Sequence, residues 1–283
     1  MSHYVQSSTN AAATLQSLLF VPGNRPERFA KALATAADCV CIDLEDAVPA
    51  EAKAQARINA IAAIGSDPRI AIRINGLSTR AGLGDLLALA EAPQRPRLIL
   101  IPMVESPAEM AIARTVLNDA GVGLVPLIET VAGLNAAGQI AADPGVAMLM
   151  FGGGDLSAQL GVALAWEPLA VARAQLIMAA AGAGKPVIDV PYIALDDDAG
   201  LMEETRRAKA LGFSAKAAIH PTQIAVIHAV MRPSAAEIDE AKAAQAAFAA
   251  AGGAAVRFNG KMLEAPFMRR YQQILAVGEQ AHA

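Results

Sequence analysis

Cys39-Val-Cys-Ile-Asp-Leu44 is a short apolar run that ends in acid, because Glu45 and Asp46 follow at once. Its length and β-branched content read as a buried strand, and its polar exit as a place where chemistry is presented. Seven further runs share the pattern: Ser17-Leu-Leu-Phe-Val21, Arg69-Ile-Ala-Ile-Arg-Ile74, Arg97-Leu-Ile-Leu-Ile101, Gly123-Leu-Val-Pro-Leu-Ile128, Ala147-Met-Leu-Met-Phe151, Pro186-Val-Ile-Asp-Val190 and Ala215-Lys-Ala-Ala-Ile219. They recur about every 20 to 40 residues, which suits a strand, a helix and two loops. Helix signals fill the gaps: Pro26 and Pro107 sit where N1 prolines belong, and Ser106 and Thr130 where N-caps belong. Eight such alternations predict an α/β fold, a TIM (β/α)8 barrel, in preference to an open sheet. Pro126 inside the fifth run is a local objection, since proline lacks the ladder N–H.

The division expected is a flexible N-terminal tail at 1–17, the barrel at 18–232 and a C-terminal helical extension or lid at 233–283. That extension reads as a helix over 235–251, a Gly252-Gly253 turn, a segment from Val256 to Pro266 and a final helix.

Of 283 residues, 54% are hydrophobic and 18% charged, with a formal charge of -4. Disorder is therefore not expected, because so apolar a chain can bury enough surface to offset its conformational entropy. No apolar run approaches the roughly 20 residues that span a bilayer. The 23 basic residues are mixed among 27 acidic ones and form no basic stripe, so nucleic acid is a poor partner. The two cysteines, Cys39 and Cys41, are one residue apart and share a strand face. They read as reduced structural thiols, since Cys-Val-Cys is neither a redox pair nor a zinc set. The first seventeen residues carry no secretion signal, and the expected location is the cytoplasm.

Barrels of this kind place their chemistry at the C-terminal strand ends. Five ends carry acid: Asp43, Glu45 and Asp46; Glu105; Glu129; Asp155; and Asp189. So many carboxylates in one cleft call for a cation, and oxygen-only ligands favour a hard divalent ion such as Mg²⁺. Glu129 and Asp155, on adjacent strands, are the expected metal pair. The glycines before Asp155, with Gly153 and Gly154 nearest, let a ligand approach the backbone closely. They also read as a tight turn with Asp155 capping the next helix. Asp43 and Glu45 share a strand face while Asp46 points away. These acids can hold metal-bound waters, orient Arg73, or form an ion pair beneath the site. Arg73 is a fixed cation suited to a carboxylate or a developing oxyanion. Arg25, Arg28 and Lys31, just after the first run, suit a phosphate-bearing substrate or a plain solvated face. His220 reads as a base or as a satisfied hydrogen-bonding group.

Together, Leu19-Phe-Val-Pro-Gly23, Asp43-Leu-Glu-Asp-Ala-Val48 with Lys53 and Arg57 behind it, Arg73-Ile-Asn75, Glu129-Thr130, Gly152 to Leu156 and Ala218-Ile-His-Pro-Thr-Gln223 resemble the citrate lyase β-subunit family. The resemblance runs from about Leu18 to Leu275 and includes malyl-CoA and citramalyl-CoA lyases. It implies Mg²⁺-dependent cleavage of a 3-hydroxyacyl thioester into an acetyl thioester and a 2-oxo acid. It makes Glu129 and Asp155 the metal ligands, puts Arg73 near the thioester oxygen and gives Glu45 and Asp46 supporting roles. It also implies a homotrimer or dimer of trimers whose C-terminal segment closes over a neighbour's site. Three departures stand out: Met103 where a lysine is common, Gly154 where an acid often precedes the aspartate, and Glu264 where the proposed base is usually aspartate. Competing readings are a subunit acting on an acyl carrier protein, a malyl-CoA-type thioesterase, and a catalytically retired CoA-ester-binding barrel.

Overall fold

The computed structural model describes residues 15–118 and 121–280. Eight parallel strands close into a barrel: β1 (Ser17–Pro22), β2 (Cys39–Asp43), β3 (Ile70–Arg73), β4 (Leu98–Ile101), β5 (Gly123–Ile128), β6 (Leu149–Phe151), β7 (Val187–Asp189) and β8 (Ala215–Ala218). Closure comes from β1 pairing with β8, Leu18 facing Ala217. All eight strands fall on the runs read from the sequence: β1 reaches one residue further, to Pro22, β5 matches its run, and the other six are shorter.

Alternation along each strand divides its side chains. Cys39 and Cys41 on β2, Ala71 on β3, Leu98 and Leu100 on β4, and Ala215 and Ala217 on β8 belong to one buried cluster. Both cysteines are free and buried, and burial pushes the Cys39 thiol up to about 12, so neither is a thiolate near neutrality. Pro126 is tolerated for a readable reason. On the β6 side, β5 pairs only from Leu127 onward, with an isolated bridge at Leu124, so the missing N–H falls in a gap of the ladder.

Around the barrel run α1 (Phe29–Leu33), α2 (Lys53–Ala63), α3 (Arg80–Glu91), α4 (Pro107–Val116), α5 (Val131–Ala141), α6 (Gly153–Leu160), α7 (Trp166–Gly182), α8 (Asp198–Leu211) and α9 (Gln223–Met231). Ser106 closes a capping box with Glu109 at the start of α4, and Thr130 accepts from the Gly133 N–H at the start of α5. Pro26 opens a 3-10 turn, and the α-helix begins only at Phe29.

The last residues of the tail expected over 1–17 belong to the barrel. Leu15 is buried in the barrel cluster and Ser17 is already in β1, while residues 1–14 lie outside the described residues. Compact units meet between His228 and Ala229, close to the expected boundary at 232. The second unit holds α10 (Ala235–Ala250), β9 (Val256–Phe258), β10 (Lys261–Leu263) and α11 (Ala265–Gln280). The two strands form an antiparallel hairpin turned by Asn259 and Gly260, both at positive φ (48° and 76°). Ala244, Leu263 and Met268 form its small core, with Phe248, Val256, Phe258 and Tyr271 packed on it. Among the described residues no helix is long and apolar enough to cross a membrane.

Candidate active site

A cavity of about 420 Å³ opens at the C-terminal ends of the barrel strands. Its charged lining is Asp43, Asp46, Arg73, Glu129 and Asp155, and the rest is apolar or glycine: Phe20, Pro22 and Ala47 on one side, Leu127, Met150 and Phe151 below, and Val190, Pro191 and Ile219 opposite.

Arg73, the last residue of β3, is chelated side-on. Its Nε lies 2.7 Å from Asp43 Oδ1 and its Nη2 2.6 Å from Asp43 Oδ2, across the paired ends of β2 and β3. Nη1 lies 2.7 Å from Glu45 Oε2 and 3.3 Å from Asp46 Oδ2. The Glu45 contact is an ion pair without hydrogen-bond alignment, for the same oxygen has no hydrogen-bond partner among the described residues. The guanidinium also stands 5.0 Å over the Phe20 ring. Burial alone would lower the Arg73 pKa, but the hydrogen bonds to Asp43 and the charges of Asp43, Glu45 and Asp46 outweigh it and hold the group above its usual range.

One expectation is corrected here. Asp46 does not point away from the barrel, because β2 ends at Asp43 and strand alternation no longer applies to the turn that follows. That turn swings Asp46 back to Arg73 and the cavity. It is held from behind: Lys53 Nζ donates to the Leu44 and Glu45 carbonyls and to Asn75 Oδ1, and Asn75 Nδ2 donates to the Leu44 carbonyl. Asp85, fully buried, joins this layer by accepting from Asn75 and pairing with Arg57 at 2.6 Å. Nothing in the sequence singled out Asp85, which lies mid-helix and far from any strand end.

Glu129 directly follows β5, buried at 4% exposure, and its Oε1 accepts the Met103 N–H at 2.6 Å. Burial, with the Asp155 charge adding to it, raises Glu129 to about 7 against the opposing Met103 hydrogen bond. Burial likewise raises Glu45 to about 8. A Cβ at Gly152 would stand 2.2 Å from the Glu129 Cβ and 2.5 Å from its Oε2, so the first glycine of the run keeps this carboxylate in place. Gly154 faces the cavity with open space beside it, whereas Gly153 packs against Leu164, Phe151 and Val190 and does not line it. Asp155 is the third residue of α6, whose N-cap is Gly152, and its side chain caps nothing, which leaves it facing the cavity.

Two carboxylates at neighbouring strand ends, one desolvated and neither ion-paired with a cation among the described residues, fit a hard divalent ion that completes its shell with water and substrate oxygens. No group of three or more His, Cys, Asp or Glu able to hold a metal occurs among the described residues.

Other expected residues lie elsewhere. Glu105 is exposed at the start of the α4 capping box. Asp189 turns outward from β7, where it is fully buried against Arg173 at 3.0 Å and Lys216 at 2.8 Å. The cavity thus gathers acids from three strand ends, not five. Arg25, Arg28 and Lys31 are exposed and outside the cavity lining. His220 bonds Thr222 through Nδ1 at 2.8 Å, while buried Gln223 accepts the Ile219 and His220 N–H groups and donates to the Tyr192 carbonyl. This is the satisfied reading of His220. Glu264 lies in the second unit, its carbonyl accepting the Phe267 N–H at the start of α11.

The HpcH/HpaI aldolase/citrate lyase model matches residues 16–221. The chain belongs to that family. A second model, a C–C bond lyase of the TIM-barrel fold, matches residues 166–279. Family relatives include a (3S)-malyl-CoA thioesterase of Cereibacter sphaeroides, 34% identical over 95% of this chain and 96% of its own. The mitochondrial citramalyl-CoA lyase of Homo sapiens is 29% identical over 97% of this chain and 88% of its own. Protein CitE of Mycobacterium tuberculosis, solved with magnesium, acetoacetate and coenzyme A, superposes with a TM-score of 0.81 at 33% identity, over 94% of this chain and 99% of its own. The same organism's citrate lyase β subunit, solved with oxaloacetate and magnesium, gives 0.69 at 35% identity, over 79% of this chain and all of its own.

Proposed function

We propose that this chain is a Mg²⁺-dependent carbon–carbon lyase acting on a 3-hydroxyacyl-CoA thioester of the malyl or citramalyl type, releasing acetyl-CoA and a 2-oxo acid. The observation that carries this reading is the meeting, in one cavity, of Glu129 and Asp155 with a cation, Arg73, that neighbouring acids fix in position. Magnesium and coenzyme A in the tuberculosis relative, and the named activity of the human relative, support it.

Glu129 and Asp155 would hold the ion, which when bound polarises the oxygens of the oxo-acid half. The reaction removes the 3-hydroxyl proton, breaks the C2–C3 bond with its electron pair moving to C2, and leaves a carbonyl at C3. The thioester half departs as an enolate that takes a proton at C2. Arg73 faces this charge, and the Nη2 hydrogen that Asp43 does not use is aimed by the side-on chelation. Asp43, Glu45 and Asp46 set the position of Arg73 and do not react. Phe20, Val190 and Ile219 keep water from the enolate. Glu264, supplied by a neighbouring subunit of a homotrimer, takes the hydroxyl proton. Arg25, Arg28 and Lys31, exposed beyond β1 with no acidic partner among the described residues, meet the CoA phosphates. The cytoplasm is the expected compartment.

A second reading is thioester hydrolysis, favoured by the activity named for the Cereibacter relative. It uses the same ligands but attacks the thioester carbon with water. A carrier-protein thioester in place of CoA is a third. Asp155→Ala tests the lyase reading: it should abolish Mg²⁺-dependent release of acetyl-CoA from citramalyl-CoA while the fold is retained, and full activity in that variant would refute it.

A further inference from the structure

Asp85 is fully buried on α3 and takes no part in the cavity lining. Both of its oxygens nevertheless meet donors. Oδ1 accepts from Arg57 Nε of α2 at 2.6 Å, while Oδ2 accepts from the Asn75 N–H at 3.0 Å and from Asn75 Nδ2 at 2.6 Å. Helix α3 comes this close to the chain leaving β3 because its first turn carries glycine. A Cβ on Gly82 would stand 2.4 Å from the Asn75 carbonyl oxygen and 2.1 Å from that of Gly76. A carboxylate can accept on both oxygens at once. Asparagine in its place would turn an NH2 group against a donor in either orientation, towards Arg57 or towards Asn75.

Asn75 carries the constraint forward. Its Nδ2 donates to Asp85 and, at 3.0 Å, to the Leu44 carbonyl, which leaves Oδ1 turned to Lys53 Nζ at 2.6 Å. Lys53 Nζ in turn donates to the Leu44 and Glu45 carbonyls at 3.1 and 3.0 Å. Those carbonyls belong to the turn that follows β2, and the same turn is stitched to Asp43. Asp43 Oδ1 accepts the Glu45 N–H at 2.9 Å and Oδ2 the Ala47 N–H at 3.2 Å. These are the oxygens that chelate Arg73 Nε and Nη2. A continuous chain of hydrogen bonds thus runs from Asp85 through Asn75, Lys53 and the turn to Asp43 and Arg73.

We propose that Asp85 is a positioning residue of the lyase site: by fixing the Asn75 amide it holds the turn at 44–47, and through Asp43 it holds Arg73 where the enolate forms. The inference rests on the lyase reading above and deepens it, because Asp85 acts through Arg73 and touches neither substrate nor metal.

The test is steady-state release of acetyl-CoA from citramalyl-CoA by the Mg²⁺-loaded full-length protein, comparing Asp85→Asn with wild type and the same pair on an Arg73→Lys background. Asp85→Asn should lower kcat at least about tenfold, the scale for lost outer support of a reacting group, with KM and Mg²⁺ affinity within about twofold of wild type. On the Arg73→Lys background it should cost less than about twofold more, since the aim of the guanidinium is already lost. A role in stability alone would lower the melting temperature and leave kcat of the folded variant unchanged. That result would overturn the inference and leave the lyase reading standing, as would a full tenfold loss on the Arg73→Lys background. Lys53→Met cuts the relay one link further on, at a half-buried position, and serves if Asp85→Asn does not fold. The same loss in kcat is expected there, and wild-type kcat would overturn the inference. If wild type released no acetyl-CoA from citramalyl-CoA or malyl-CoA in a Mg²⁺-dependent way, the lyase reading and this inference would fall together.

Discussion

Met103 donates its backbone N–H to Glu129 Oε1 at 2.6 Å from a left-handed conformation, φ 56°. A non-glycine residue held there is strained, and here the strain aims a donor at a candidate metal ligand. The Met103 side chain is exposed and does not line the cavity, so the backbone carries the role. Met103→Gly should therefore keep Mg²⁺ affinity and gain slight stability. Met103→Pro removes the N–H and cannot adopt that φ, and should weaken Mg²⁺ binding about 10- to 100-fold, the scale for lost support of a metal ligand. Equal affinities in the two variants, read by calorimetry, would count against the role.

Burial raises Glu129 to about 7 in the metal-free protein, so metal binding must displace a proton below that pH. Apparent Mg²⁺ affinity should fall about tenfold per pH unit below 7 and level off above 8. The sign for stability is opposite. A folded pKa above the unfolded value gives stability that is present at low pH and lost as pH rises through about 7, with Glu45 continuing the loss towards 8. The metal-free protein should melt lower at pH 8 than at pH 6, and Mg²⁺ should raise the melting temperature more at pH 8. Equal Mg²⁺ shifts at both pH values in scanning calorimetry would contradict this.

Replacing Arg73 by lysine keeps the charge and loses the side-on chelation of Asp43. We expect kcat to fall about 100-fold with KM little changed, since a displacement near 1 Å costs that much and the loss falls on the transition state. A rise in KM alone would reassign Arg73 to ground-state binding.

The Lys216–Asp189–Arg173 network is fully buried and its members are mutually paired. Lys216→Met strands Asp189 with one partner fewer and should cost about 3 to 5 kcal/mol in urea unfolding. Lys216→Met with Asp189→Leu should cost no less, because Arg173 then keeps only its 4.0 Å contact with Glu204. A loss under 1 kcal/mol in the single variant would show the network to be dispensable.

Much of the fold was legible in the sequence, because buried parallel strands are short apolar runs and the barrel repeats them. A place in the cavity lining was legible where the polar residue closes its strand or stands next after it, as at Arg73 and Glu129. It was misread where the chain turned: Asp46 lies after β2 has ended and follows turn geometry. Asp189 was misread for another reason, since strand alternation aims it at the helix layer, where Arg173 and Lys216 await it from distant sequence. The hairpin at Asn259-Gly260 carried a readable turn signal between two short, weakly apolar strands.

Mass spectrometry of products from citramalyl-CoA and malyl-CoA, with Mg²⁺ and with EDTA, tests the central claim most directly. The account predicts acetyl-CoA with pyruvate or glyoxylate in equal amounts, lost with EDTA. Free CoA with intact citramalate or malate would contradict it and make the protein a thioesterase.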